Sequence, residues 1–526
     1  MILRRDFLAG LAGTAAATTF GRGLRATSLS GVSTANELAK RLANDPLRPQ
    51  CHLLPAANWM NDPNGPIYWH GNYHMFYQYN PDGAFWGDMH WGHAISQDMV
   101  HWKHLPVALA PTPGGPDADG CFTGTAAVDN GQVVMLYTGV RAVPGDQATI
   151  KDGNPPLLET QCMATSDVPQ LRRWSKLPAP VLAAPPPGME VNGFRDPSPW
   201  RQGDWWYMVV ASGFANQGGA VLLYRSKDLR GWEFMHILSR RNESGAGAPD
   251  PFDPWEVWEC PEFFALGDKH ILIFSTLGKG YWQSGELDPK TMHFYPQQAG
   301  VLDYGSFYAP KTQLDKSGNR ILWGWITETR KPEEYKAAGW AGMMSLPRVL
   351  SMGSDERLRV SVAAEVNQLR TRKQSLNVTA DEDETRRRIA DLRIENCLGE
   401  ILCTVRRPSE AFVLVLCGSA ERATPWLTLS YDPLHPGQVS IDDRPVPVVL
   451  ADGENIELHL YVDSSVIEVF VNRQAAWTKR FYYHGGSPHD LRMRWNGKTA
   501  NIESLNVWQI SPISADRLTT AEPDQS

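Results

Sequence analysis

Gly71-Asn72-Tyr73-His74-Met75-Phe76-Tyr77-Gln78-Tyr79 is a turn signal running straight into an aromatic strand, and the chain repeats that pattern. Gly and Asn tolerate the left-handed backbone of a tight turn, and the aromatic run after them suits a pleated, half-buried surface. Outward from this stretch, Asn130-Gly131 leads into Val133–Tyr137 and Gly203-Asp204 into Trp205–Ala211. Gly267-Asp268 leads into His270–Ser275, and Gly318-Asn319 into Arg320–Ile326. Three units carry a second echo, a Ser/Asp pair ahead of a Trp: Ser96/Asp98/Trp102, Ser166/Asp167/Trp174 and Ser226/Asp228/Trp232. Five divergent all-β units, roughly 50–70 residues apart, predict a five-bladed β-propeller, with a sandwich carrying long insertions as the structural alternative. The propeller is placed at 47–355.

The pattern changes near residue 355. Ser354 to Arg388 is polar, with Asp381-Glu382-Asp383-Glu384 beside Arg386-Arg387-Arg388, and reads as a solvated connector or strand edge. Alternating segments follow, among them Phe412–Leu416, Trp426–Tyr431, Ile456–Val462 and Ser465–Val471. They predict a C-terminal β-sandwich over 365–512, with a frayed tail at 513–526. The fold class is therefore all-β. Helical patterning is confined to Ser33–Leu42 and the short Ala364–Arg372.

The first 30 residues read as a targeting segment. Arg4-Arg5-Asp6-Phe7-Leu8 precedes a mildly apolar run to Phe20, which is too short to span a membrane and resembles a twin-arginine export signal. Export would place the protein in the periplasm or outside the cell. The whole chain carries a net charge of −8; the first 30 residues hold Arg4, Arg5, Arg22 and Arg25 against Asp6, so the remainder carries −11. An acidic body has no electrostatic reason to bind nucleic acid or an anionic membrane, and neither is expected as a partner. The seven cysteines include no Cys-x-x-Cys pair, which argues against a disulfide framework and a structural zinc site.

Three carboxylates stand in unusual settings. Asp62, in Asn58-Trp59-Met60-Asn61-Asp62-Pro63-Asn64-Gly65, precedes a proline that should hold it extended at the mouth of a turn. Asp196, in Phe194-Arg195-Asp196-Pro197-Ser198, should be extended for the same reason, and Arg195 can brace it or clasp a substrate hydroxyl. Glu259, in Trp258-Glu259-Cys260-Pro261, has aromatic and apolar neighbours, the setting in which a general acid keeps its proton near neutral pH. Each precedes one of the five strand runs, so equivalent positions on three blades would converge on one funnel. Three such acids suit glycosyl transfer, with a nucleophile, an acid/base and a polar anchor. They would also suit a metal, but no His accompanies them at ligand spacing, so neither metal nor cofactor is expected. Serine-hydrolase, zincin, P-loop and dinucleotide motifs are absent.

Trp59-Met60-Asn61-Asp62-Pro63-Asn64-Gly65, Phe194-Arg195-Asp196-Pro197 and Trp258-Glu259-Cys260-Pro261 resemble the three signature motifs of glycoside hydrolase family 32. That family includes invertases, inulinases, levanases and fructosyltransferases. The resemblance extends through Tyr77-Gln78-Tyr79-Asn80-Pro81, Phe85-Trp86-Gly87, Phe122-Thr123-Gly124 and Phe307-Tyr308-Ala309-Pro310. It continues to Val462-Asp463-Ser464-Ser465-Val466-Ile467-Glu468 and covers roughly residues 50–510. It implies a retaining mechanism on β-D-fructofuranosyl bonds of sucrose or a fructan. Asp62 is then the nucleophile, Glu259 the acid/base and Asp196 the transition-state stabiliser. Asn61, Gln78, Trp86, Phe122, Thr123 and Arg195 match positions of the fructose pocket. Retention needs nucleophile and acid/base about 5–5.5 Å apart.

Three departures from the family's commoner residues stand out: Asp88 for Asn, the pair Thr123 and Thr125 for a Ser pair, and Glu262 for Asp. None is expected to touch the three carboxylates. Trp59, Trp91 and Trp258 also read as core aromatics, His90 and His93 as structural, and Asp463 and Glu468 as domain-interface residues. The competing functions are a fructosyltransferase using the same intermediate, a fructan-binding protein without turnover, and an arabinan- or xylan-cleaving relative. Intact Asp62 and Glu259 argue against the binding protein.

Overall fold

The computed structural model describes residues 29–241, 252–406, 410–418, 425–451, 453–483 and 490–522. The export-signal reading of residues 1–30 therefore lies outside the described residues, apart from the last two, which open a helix, Leu29–Ala43. No helix among the described residues is long and apolar enough to cross a membrane.

Everything else is organised by sheets. The first half holds five antiparallel sheets, each beginning on an inner strand: β1 (Asn58–Trp69), β2 (Gly120–Asp129), β3 (Arg195–Gln202), β4 (Glu259–Leu266) and β5 (Tyr308–Leu314). Each inner strand pairs with the strand that follows its Gly/Asn/Asp turn, so the five sequence repeats are the five first hairpins. The inner strands touch in succession, and β5 returns to β1. The chain also closes on itself at Trp340–Ala341, which pairs in parallel with Asn58 and Trp59.

All five inner strands break register at the same level. The breaks fall between Met60 and Pro63, Cys121 and Gly124, Arg195 and Ser198, Glu259 and Glu262, and Tyr308 and Lys311. In four of the five the cause is a proline, which has no N–H for the ladder and is tolerated inside a sheet chiefly at bulges. A bulge re-aims the side chains around it. Here the structure corrects two expectations. The Asn-Asp-Pro-Asn-Gly stretch is a bulged strand rather than a turn. Asp196 is not extended but left-handed, with φ 60°, as are Cys260 and Ala309 at the same step, both with φ 51°. At Gly65, a side chain would meet the Cβ and N of Ala126 at 3.0 Å, so glycine is what lets β1 approach β2.

The Ser/Asp…Trp echo proves structural. Asp98 accepts from the N–H groups of Val100 and His101, and the Trp102 indole donates to the carbonyl of Met99. Asp228 and Trp232 repeat the arrangement around Leu229.

The second half is two six-stranded antiparallel sheets that share one core. Leu414, Leu429 and Trp495 of one sheet join Ile401, Leu460 and Val469 of the other in it. Three local expectations fail. The acidic run is a helix, Glu382–Asp391, whose N-cap Asp381 accepts from the N–H groups of Asp383 and Glu384. Its charges pair one turn apart, Arg386 with Glu382 and Arg388 with Glu384. Ala364–Leu369 is a 3-10 turn that gives way to the strand Arg370–Ser375. Residues 513–522 are docked rather than frayed: Ile513 and Leu518 are buried, and Arg517 donates to the carbonyl of Arg48.

Asp463 and Glu468 do hold the two halves together. Asp463 accepts from the N–H groups of Gln50 and Cys51 at 2.7 Å. His52 sits between Asp463 (2.8 Å) and Glu468 (3.0 Å), and Arg348 joins Glu468 to Asp303. Burial pulls the His52 pKa down, but the hydrogen bonds and charges of both carboxylates outweigh it and raise it from 6.5 to about 9. A raised histidine pKa stabilises the fold fully below its unfolded value, and that stability is lost as pH rises through the folded value. The unfolding free energy from urea titrations should therefore fall between pH 6.5 and about 9, by on the order of 3 kcal/mol at most. His52→Gln should flatten that decline; an unchanged decline would mean the histidine is not charged in the fold.

Candidate active site

The bulges bring the three carboxylates together. Asp62, Asp196 and Glu259 lie at or inside the register breaks of β1, β3 and β4, and all three are at least 95% buried. Cys260 links them. Its N–H donates to Asp196 Oδ2 at 2.8 Å, and its Sγ lies 3.5 Å from that oxygen and 3.6 Å from Asp62 Oδ2. Burial, then the charges of Asp196 and Asp62, push the Cys260 thiol well up, so it stays protonated as a donor. All seven cysteines are buried.

A relay fixes Asp62. The Trp59 indole donates to Asn61 Oδ1 (2.8 Å), and Asn61 Nδ2 donates to both Gln78 Oε1 (2.8 Å) and Asp62 Oδ1 (3.0 Å). Gln78 Nε2 donates to Thr123 Oγ1 (2.5 Å), which donates to Asp62 Oδ2 (2.6 Å). Thr123 therefore touches a carboxylate directly, contrary to the expectation for that departure. Thr125, the other member of the pair, accepts from the buried Lys311. Glu262 accepts from the N–H and hydroxyl of Thr312.

Glu259 is not in an apolar niche. Its Oε1 accepts from Arg195 Nε (3.1 Å) and Nη2 (3.0 Å), and its Oε2 accepts from the Tyr308 hydroxyl at 2.5 Å. Arg195 also donates from Nη1 to Glu159 Oε1 at 2.8 Å. Its carboxylate partners in these bonds are thus Glu259 and Glu159 rather than the expected Asp196. Asp196 is oriented from its backbone, whose N–H donates to Thr138 Oγ1 at 2.8 Å.

These groups surround a cavity of about 570 Å³. Asn61, Trp86, Phe122, Arg195 and Glu259 line it; Asp62 and Gln78 are hydrogen-bonded to Asn61 behind the lining, Thr123 to those two, and Asp196 to Cys260. Trp86 and Phe122 meet edge to face at 5.8 Å, and Trp59, Trp325 and Tyr335 continue the aromatic wall. Such a wall with a few fixed polar groups suits a sugar, whose C–H faces stack while its hydroxyls bond. Trp91 and Trp258 are core residues: Trp91 donates to the Phe122 carbonyl, and Trp258 stacks on Phe274.

Sequence reasoning missed Tyr308, Glu159 and Cys260 as parts of the site. Tyr308 was legible in principle. Aligning Arg195-Asp196-Pro197, Glu259-Cys260-Pro261 and Tyr308-Ala309-Pro310 puts Arg195, Glu259 and Tyr308 at one level, where they bond in a row. Glu159 had no such signal, being an interior residue of the strand Leu157–Ser166. Arg195→Lys should lower kcat/KM about 100-fold, because an ammonium cannot span both glutamates and small misplacements are costly; unchanged kinetics would show that the bridge is not needed.

Comparison with known proteins agrees across both halves. The family model "Glycosyl hydrolases family 32 N-terminal domain" matches residues 52–361, and "Glycosyl hydrolases family 32 C terminal" matches 365–509. A sucrose-6-phosphate hydrolase of Escherichia coli is 34% identical over 494 residues, covering 88% of this chain and 94% of its own. A raffinose invertase of Escherichia coli is 36% identical over 462 residues, covering 82% and 89%. Among solved structures, a β-fructofuranosidase of Bombyx mori superposes with a TM-score of 0.71 at 29% identity, covering 92% of this chain and 99% of its own. With both family models matched in order and relatives aligned along nearly their whole length, the chain belongs to glycoside hydrolase family 32.

Proposed function

We propose that this protein is a retaining β-fructofuranosidase that releases fructose from terminal β-D-fructofuranosides, sucrose or inulin- and levan-type fructans, by hydrolysis. The observation that carries the reading is the convergence of Asp62, Asp196 and Glu259 at one level of three inner strands, beside an aromatic cavity. In this reading Asp62 attacks the fructose anomeric carbon and forms a covalent fructosyl–enzyme. Glu259 protonates the departing oxygen, then takes a proton from the incoming water. Asp196 bonds ring hydroxyls as charge develops. Asn61, Gln78 and Thr123 hold Asp62, while Trp86, Phe122 and Arg195 shape the pocket.

The five sheets are read as blades of a five-bladed propeller over 47–355, supported by the succession of inner-strand contacts that returns from β5 to β1. The paired six-stranded sheets are read as a β-sandwich over 365–512, with 513–526 as a tail. Export by the twin-arginine route to the periplasm or beyond is supported by Arg4-Arg5 and the run after them. The test of function is chromatography of the products from sucrose, inulin and levan at low and high concentration. Free fructose as the main product supports hydrolysis. Longer fructosides accumulating at high sucrose would make the protein a transferase, and binding without turnover would make it a binding protein.

A further inference from the structure

The relatives named above divide between phosphorylated and unphosphorylated sugars, and the charge of the cavity bears on that choice. Its lining includes five carboxylates, Asp152, Asp253, Glu256, Glu259 and Glu328, and two guanidiniums, Arg195 and Arg330. Each of those cations is already engaged. Arg195 spans Glu259 and Glu159, and Arg330 pairs with Glu328 at 2.7 Å. Behind the lining, Arg241 pairs with Glu256 at 2.9 Å, and Arg480 lies 3.8 Å from Glu328. Glu328 is held down to about 2: burial raises it, but the charges of Arg480 and Arg330 and the hydrogen bonds from Arg330 and Tyr482 outweigh that. The Tyr482 hydroxyl, from the second half of the chain, donates to it as well, at 2.5 Å. Lys151, Lys331 and Lys336 neighbour lining residues in sequence and are exposed, but Asp152, Glu333 and Glu334 stand beside them, and Lys336 lies over the Phe85 ring. Residues 242–251, next to the lining in sequence, contain Glu243 and Asp250 and no lysine or arginine.

From this we infer that the site takes uncharged fructosides and rejects substrates phosphorylated on the glucosyl part, a statement that rests on the fructosidase reading above and narrows its substrate class. A sugar phosphate carries a charge of about −1.5 to −2 near neutral pH. Recognition of such a group relies on arginine or lysine to complement it. Here each lining guanidinium is already neutralised by a buried carboxylate, so a phosphate drawn to it meets like charge alongside.

The experiment compares kcat/KM for sucrose, for the neutral trisaccharide 1-kestose and for sucrose 6-phosphate on the full-length protein. A neutral fructoside should be favoured over sucrose 6-phosphate by about 100-fold or more. Asp152→Lys, which adds a cation at the exposed edge of the lining, should shrink that ratio several-fold. Equal or faster hydrolysis of sucrose 6-phosphate would overturn the inference while leaving the fructosidase reading intact, and a ratio that Asp152→Lys does not move would overturn its electrostatic basis. No fructose from any of the three would overturn the fructosidase reading itself, and this inference with it.

Discussion

Asp62→Asn is expected to lower kcat on sucrose by about 10⁴-fold or more while the protein stays folded. The substitution keeps the shape of the side chain, and its amide oxygen can still accept the 2.6 Å bond from Thr123. The relay from Trp59 through Asn61 and Gln78 does not pass through the carboxylate, so the pocket wall should survive. What is lost is a nucleophile, because an amide oxygen cannot form the ester to the anomeric carbon. A near-native circular dichroism spectrum combined with lost turnover is the expected pair of results. Near-normal turnover would remove Asp62 from the mechanism, and loss of folding would call for Asp62→Ser as the second variant.

Glu259→Gln should separate substrates by leaving group. Proton donation by a positioned acid contributes about 10²–10⁴-fold, and its value falls as the leaving group becomes able to depart unprotonated. Sucrose and 1-kestose should therefore lose most of their kcat, while a β-fructofuranosyl fluoride should lose far less in the step that forms the intermediate. Glutamine keeps one acceptor oxygen for Arg195, its amide nitrogen can donate to the Tyr308 hydroxyl in place of the bond that hydroxyl now donates, and Arg195 retains Glu159, so the side chain keeps its orientation. Equal losses on natural and activated substrates would show that Glu259 is not the acid.

How much of this was legible in the sequence depended on whether the signal was local. The five Gly/Asn/Asp turns marked five hairpins because a tight turn has few residue solutions, and each repeated unit displayed the same one. Asp62, Asp196 and Glu259 stood out because a proline or an aromatic follows or precedes each, and the structure brings them to one place. The backbone at those prolines was misjudged. A residue before proline is usually extended, yet Asp196 and Cys260 are left-handed, because a bulge needs one residue to turn the strand and the sheets around it decide which. The partners of Glu259 were harder to read: Arg195 and Tyr308 reach it across separate strands and show only when the three proline steps are aligned, and nothing in the chain marks Glu159. The helix Glu382–Asp391 was missed because its charges suggested solvent exposure, although an Asp cap followed by acids and then arginines is also a helix start.

The measurement that reaches the central claim most directly is mass spectrometry of the Glu259→Gln protein during reaction with β-fructofuranosyl fluoride, followed by peptide mapping. With the acid/base removed, breakdown of the intermediate slows, and one fructosyl residue should be found on the peptide that carries Asp62 and at that side chain. An adduct on Asp196, or an unmodified protein that releases fructose with inverted anomeric configuration, would contradict the account.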